Sequence, residues 1–310
     1  MEYGAHLPLI ELEPGSSSLA RLREYASTAA GLGYRSLSAN DHLLFRRPWL
    51  DGPTALAAVL DLAGEMTIAT TVCLPVIRGP VQAAKTLGAL DVLSGGRLVI
   101  GISAGSSAHD YEAVGIPFDE RWPRFEEAAQ TLHALLHEDR PPFAGRFYST
   151  EGVVLEPRPV TRPGPPIWIG SWGSRPGLRR VARLADGWLA SAYNTTPDTF
   201  RAGLAYLGER LAASGRRPEG FPNGLATMWL HVTGRRATAE RIVADVLAPM
   251  LNRPIDAIHA LSLPIGPAEL CAERLTAFSQ AGVQRVFVWP LGDELRQLEL
   301  FRERVVPLVG

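Results

Sequence analysis

The stretch LDVLSGGRLVIGISAGSSAHDYEAVGIPF, residues 90 to 118, sets a helix end, a strand and a polar, glycine-bearing exit side by side. The helix before it starts at Pro80, with Ala83, Ala84, Leu87 and Leu90 at three- and four-residue spacing, and Gly95 and Gly96 supply a left-handed stop. Arg97 to Ser103 reads as a strand. Its apolar residues Leu98, Val99 and Ile100 are contiguous rather than alternating, as a parallel strand covered on both faces requires. Beyond it, Ala104, Gly105, Ser106 and Ser107 leave backbone N–H groups open to a closely approaching ligand. An ordinary turn between strand and helix uses the same residues, so function has to be read from the rest of the chain.

The same alternation runs from end to end. Strand-like runs occupy His6 to Ile10, Ser36 to Ala39, Met66 to Leu74, Arg97 to Ser103, Ile167 to Gly170, Gly187 to Ser191, Leu225 to Val232 and Val283 to Trp289. Amphipathic helices separate them, such as Leu19 to Ala30, with Leu19, Leu22, Tyr25, Ala26 and Ala29 on one face. Another is Asp119 to Leu136, with Phe125, Ala128, Leu132 and Leu135 inward. Eight strands with intervening helices suit a (β/α)8 TIM barrel, although an open, doubly wound sheet has the same periodicity. Glu138 to Pro166, rich in proline, is expected as an insertion between the fourth helix and the fifth strand that borders the site. Asn252 to Pro267 is a second excursion. No internal repeat is present, and residues 1 to 310 read as a single domain.

Nearly half of the residues are hydrophobic (46%) and the net charge is −1, so neither nucleic acid nor a membrane surface is expected as a partner. The two cysteines, Cys73 and Cys271, fall in or beside apolar stretches and suggest a reducing compartment. The first residues lack a basic segment followed by a long apolar run, and a cytoplasmic protein is expected.

In a barrel, ligands lie at the carboxyl ends of the strands. Asp41 and His42 form the only adjacent carboxylate and imidazole at such an end; a buried, self-satisfied histidine is the competing interpretation. Gly170, Ser171, Trp172, Gly173 and Ser174 precede a helix beginning near Pro176, and hydroxyls with free N–H groups at a helix start suit a phosphate as well as a simple cap. Arg121 and Arg124 could add charge to that phosphate. No metal site is expected: the histidines show no HxH or HExxH spacing, and His133 with His137 is placed on the surface. The P-loop, GxSxG and GxGxxG patterns are absent.

The segments ANDH (39 to 42), LPVIRGPVQAAKTLGALDVLSGGRLVIGISAG (74 to 105) and PIWIGSWGSRPGLRRVARLADGWLAS (166 to 191) resemble the luciferase-like monooxygenase superfamily. The resemblance covers most of residues 1 to 200 and implies a (β/α)8 barrel holding FMN or the deazaflavin F420 at the strand ends. Carried over by position, it sets Asp41 and His42 near the ring, with His42 a proton donor or substrate contact. A non-prolyl cis peptide is implied around Val72, Cys73 and Leu74, beneath the ring. Ser171 to Ser174 would hold the phosphate, Ala104, Gly105 and Ser106 would line the tail, and Ser191 would lie near it. Two positions depart from the pattern. Some FMN-dependent members carry an arginine at the end of the fourth strand, where this chain has Ala104 and Gly105, which favours the longer F420 tail; Arg124 could substitute. Gly79 stands where many relatives have histidine.

The expected function is an F420-dependent oxidoreductase passing a hydride between reduced deazaflavin and a small organic substrate. An FMNH2-dependent monooxygenase served by a separate reductase is the alternative, and a non-catalytic flavin-binding barrel is the alternative of another class. Trp49, His231 and Trp289 are the expected substrate wall. The family is usually dimeric, and Thr54 to Ala63 offers a small-residue face for a homodimer.

Overall fold

The computed structural model describes residues 1–310. Its strands are β1 (Glu2–His6), β2 (Ser36–Ala39), β3 (Thr67–Cys73), β4 (Leu98–Ile102), β5 (Ile167–Gly170), β6 (Gly187–Ser191), β7 (Asn223–Val232), β8 (Ile265–Gly266) and β9 (Arg285–Pro290). All pairings are parallel. β1 to β7 follow one another, β7 pairs with β9, and β9 returns to β1, so eight strands close a (β/α)8 barrel. Closure excludes the open sheet. β8 only adds two residues beside the end of β7, matching Ile265 to His231 and Gly266 to Val232.

The narrow interior is filled unequally. Trp168, Phe287, Leu189, Ala69 and Ala226 form an inner cluster. Glycines face its two rings: a Cβ on Gly187 would lie 2.6 Å from the Trp168 indole, and one on Gly4 2.8 Å from Phe287. No side chain fits at either place beside those rings. Outside the barrel, a core of 72 residues packs strands against helices. Tyr25 and Ala26 enter it from the helix Leu19–Gly31, Ala84 and Leu87 from Pro80–Leu93, and Phe125 and Leu132 from Arg121–Leu136. Gly95 and Gly96 take φ of 66° and 81° and stop the helix before β4.

Several expected elements move. The first strand ends at His6 instead of starting there, because Gly4 and Ala5, too small to mark a strand, make the ladder with β2. Leu7, Leu9 and Ile10 are the buried exit of that strand. Leu19 is 57% exposed and leaves its helix face, and Leu135 is only half-buried. Asp119 belongs to a short 3₁₀ turn, Phe118–Glu120, ahead of the α-helix. The segment 138–166 lies against the helix Arg121–Leu136, with Arg146 reaching the start of that helix at Glu120 (3.8 Å). Glu127 accepts N–H bonds from Arg146, Phe147 and Tyr148 (2.9, 2.7 and 3.2 Å), and buried Asp91 accepts from Val160 and Thr161 (2.7 and 3.0 Å), so two outer-helix carboxylates anchor it. No helix is long and apolar enough to cross a membrane.

His6 closes β1 as a core residue. Its ring stacks 3.7 Å from the Trp289 ring, and Nδ1–H donates to the Leu7 carbonyl at 2.8 Å. Burial pushes its pKa from 6.5 down to about 3, the Leu7 bond opposing only in part. The folded state keeps this ring neutral while the unfolded chain protonates it below about pH 6.5. Stability therefore falls as the pH drops from 6.5 toward 3. In urea titrations at pH 7 and pH 5, His6→Gln should lose less stability across that interval than the unmodified protein; parallel losses would contradict a neutral buried His6.

Candidate active site

The exits of β2 to β7, with the first turns of the helix Arg121–Leu136, enclose a cavity of about 410 Å³. That volume and the carboxyl-end location are those of a small-molecule site in a barrel. β2 delivers Asn40, Asp41 and His42; β3, Thr71, Val72 and Leu74; β4, Ser103 to Ser106; β5, Ile169 to Trp172; and β6, Leu189 to Ser191 with Tyr193 beyond.

Asp41 and His42 part company at once. Asp41, 5% exposed, takes Arg78 in a double ion pair, Nε to Oδ2 at 2.6 Å and a second nitrogen to Oδ1 at 2.7 Å. Its Oδ2 also accepts the Leu74 N–H at 3.2 Å. Arg78 further contacts Asp51, which caps the helix Gly52–Ala57 through the Thr54 N–H. The carboxylate beside His42 is instead Asp110, whose Oδ2 lies 3.5 Å from Nδ1. Neither atom has a hydrogen-bond partner, so this contact is electrostatic. Burial disfavours the Asp110 charge, yet His42 and the Leu44 N–H (3.0 Å) hold its carboxyl below the ordinary carboxylate range. Nδ1 being buried against Asp110, Nε2 is the His42 nitrogen left to meet a ligand.

The other end of the cavity suits an anion. Ser174 caps the helix Arg175–Leu184 by accepting the Gly177 N–H at 3.2 Å, and Ser171 Oγ accepts the Gly173 N–H at 3.3 Å. Arg121 and Arg180 line this end; the first lies 4.0 Å over the Phe118 ring, and the second sits over Trp122 and bonds Glu126 at 2.7 Å. Arg124 does not reach it. That side chain pairs with Glu120 at 2.7 Å and covers Phe147. Helical phase is the reason, since residues 121, 122 and 125 share the inward face and 124 falls off it.

Of the other expected residues, Val72, Leu74, Ala104, Gly105, Ser106, Gly170, Ser171, Trp172, Ser174 and Ser191 line the cavity. Cys73 points into the outer core and Gly173 stays behind the wall. A cis peptide joins Thr71 to Val72. The three expected substrate residues lie outside the cavity: His231 Nδ1 bonds the Leu291 carbonyl at 2.7 Å, Trp289 is 3% exposed against His6, and Trp49 packs edge-on to His42 at 4.7 Å. His133 is nine-tenths buried, not on the surface. Asp110, Trp122, Phe125, Arg180 and Thr227 were missed. Thr227 has φ 57°, at the register shift between β7 and β9, where a β-branched residue is strained. No strand or turn pattern marks such a position.

The profile of the luciferase-like monooxygenase family matches residues 5–285. Over 309 aligned residues the chain is 24% identical to the F420-dependent hydroxymycolic acid dehydrogenase of Mycobacterium tuberculosis, covering 93% of this chain and 84% of that protein. It is 31% identical to the FMNH2-dependent dimethylsulfone monooxygenase of Pseudomonas putida, over 44% of this chain and 38% of that one. Among solved structures, the monooxygenase RslO1 from Streptomyces bottropensis superposes with a TM-score of 0.84 at 21% identity, over 99% of both chains. An F420-dependent secondary alcohol dehydrogenase, solved with an F420–acetone adduct, gives 0.84 at 18% identity over 100% of this chain and 99% of that one.

Gly52 tests the construction of the β2 exit. A Cβ there would lie 2.2 Å from the Asn40 carbonyl oxygen, a backbone atom that cannot swing aside. Gly52→Ala should cost about 1–3 kcal/mol in urea denaturation. Gly31→Ala, where a Cβ meets nothing within 4 Å, should be neutral or mildly stabilising. Equal midpoints for the two variants would contradict the close approach.

Proposed function

The chain belongs to the luciferase-like monooxygenase family, and we propose that it is an F420-dependent oxidoreductase acting on a small organic substrate with a carbonyl or unsaturated bond. The cavity fits a planar heterocycle carrying a phosphate. Gly170 and Gly177 let the lining close up without a side chain of their own: a Cβ would press to 3.2 Å on Ser103 and Val72 at the first and to 2.3 Å on Ser171 Oγ at the second. Val72 and Leu74 would lie beneath the ring, Ser171, Ser174 and Arg180 would hold the phosphate, and Ala104 to Ser106 would flank the tail. The single observation that carries F420 over FMN is the β4 exit, where Ala104, Gly105 and Ser106 face the cavity without a cationic side chain.

When bound, such a cofactor supplies a hydride donor and acceptor. His42 holds or delivers the accompanying proton at Nε2. Asp110, 3.5 Å from Nδ1, orients the ring so that Nε2 is the nitrogen turned to the ligand. Phe118, Trp122 and Phe125 wall the anion end of the cavity beside Arg121 and Arg180.

A specific observation favours a second reading, an FMNH2-dependent monooxygenase fed by a separate reductase. Arg121 and Arg180 stand at the end with Ser171 and Ser174, where two guanidinium groups and a helix start would meet a terminal phosphate. Calorimetric titration with F420 and FMN, each oxidised and reduced, separates the two. Tighter F420 is expected; a preference for reduced FMN would establish the second reading, and binding of neither would overturn both.

His42→Ala should lower kcat by about 10²–10⁴-fold while cofactor affinity stays within about twofold. Asp110→Asn should lower it less, and Asp110→Glu should recover part of the loss. Unchanged turnover in His42→Ala would remove the ring from the mechanism.

A further inference from the structure

Below the barrel, at the strand starts opposite the cavity, three side chains without a part in the site converge. His133 lies in the last turn of the helix Arg121–Leu136, His137 caps that helix one turn on, and Asp186 immediately precedes β6. One nitrogen from each ring and one carboxylate oxygen lie within 4.8 Å of one another. The ring centroids are 4.9 Å apart.

Hydrogen bonding orients all three groups. The Nε2 of His133 is 2.8 Å from the Leu184 carbonyl oxygen, and that of His137 is 3.0 Å from the Pro165 carbonyl oxygen. A carbonyl can only accept, so both rings carry their proton on Nε2 and keep a lone pair on Nδ1. His133 Nδ1 is buried without any hydrogen-bond partner. His137 Nδ1 has nothing closer than Asp139 Oδ1 at 4.0 Å among the ionised groups around it. Asp186 is pinned through Oδ2, which accepts the Ile167 N–H at 2.9 Å. Imidazoles with one N–H fixed by a backbone carbonyl and the other nitrogen free are arranged as metal ligands are.

Three arginines line the same cavity as His133 and Asp186, each with a partner of its own. Arg183 pairs with Glu126, Arg216 donates to the Ala182 carbonyl at 2.9 Å, and Arg140 lies 3.9 Å from Asp139. Two imidazoles and one carboxylate make a borderline donor set of the kind zinc favours, with water as the fourth ligand. The helix reads His-Ala-Leu-Leu-His, without the glutamate that follows the first histidine in hydrolytic HExxH helices.

We propose that His133, His137 and Asp186 bind one divalent transition-metal ion, zinc in the first instance, which ties the end of the Arg121–Leu136 helix to the starts of β5 and β6. Ligand atoms around tetrahedral zinc stand about 3.3 Å apart, so the side chains draw together on loading.

The test uses tag-free, full-length protein, stripped with a chelator and titrated with ZnCl2 and, separately, CoCl2. One equivalent of zinc should bind at micromolar concentration and raise Tm. Cobalt should give the visible absorption of a tetrahedral site without a thiolate charge-transfer band, which separates this site from Cys73 and Cys271. His137→Gln should weaken binding by about tenfold or more. Asp186→Asn keeps an acceptor for the Ile167 N–H and should weaken it too. Absence of stoichiometric uptake by the unmodified protein, a thiolate band, or unchanged affinity in both variants would each overturn the assignment.

Discussion

The grip of Arg78 on Asp41 is the constraint on which the rest of the site depends. One guanidinium joins three points on two strand exits: Asp41 after β2, Asp51 at the start of the helix Gly52–Ala57 in the same connection, and the turn after β3 that carries Arg78 itself. Asp41 also takes the Leu74 N–H. Such a pair adds little net stability over an apolar packing, but breaking it strands a buried charge at a cost of about 3–5 kcal/mol. Its value is positional. His42 follows Asp41 in the chain, so the brace that fixes one residue fixes the direction in which the other leaves the strand.

How much of this was legible in the sequence depends on range. The barrel was readable because contiguous apolar runs, glycine stops and helix starts are local signals: β2, β5 and β6 stand where the periodicity places them. Closure was not, since it depends on β9 meeting both β1 and β7 across more than 50 residues. β1 was misplaced for a local reason, as Gly4 and Ala5 carry no hydrophobic signal although they make the ladder.

The site divides in the same way. Residues directly after a strand were found, because the fold itself dictates where they point. Of the residues brought in from elsewhere, only Arg121 was. Asp110 comes to His42 from the short helix after β4, and Arg180 reaches the anion end from the second turn of its helix. Trp49 and Trp289 looked like a wall, but the first packs edge-on to His42 and the second stacks on His6, and neither lines the cavity. Aromatic residues at strand ends are equally good as lining and as packing, and only their neighbours decide between the two.

The inner pairing of Trp168 with Gly187 bears on how this protein can diverge. A side chain added at 187 strikes the indole, whereas trimming the indole alone opens a void in the centre of the barrel. The two positions are thus locked into joint inheritance: a lineage can transfer the bulk from β5 to β6, or reduce it on one side while adding on the other, only by paired exchange. Solvent-facing positions of the outer helices have no such partner, so they can change singly where the floor of the barrel changes only in pairs.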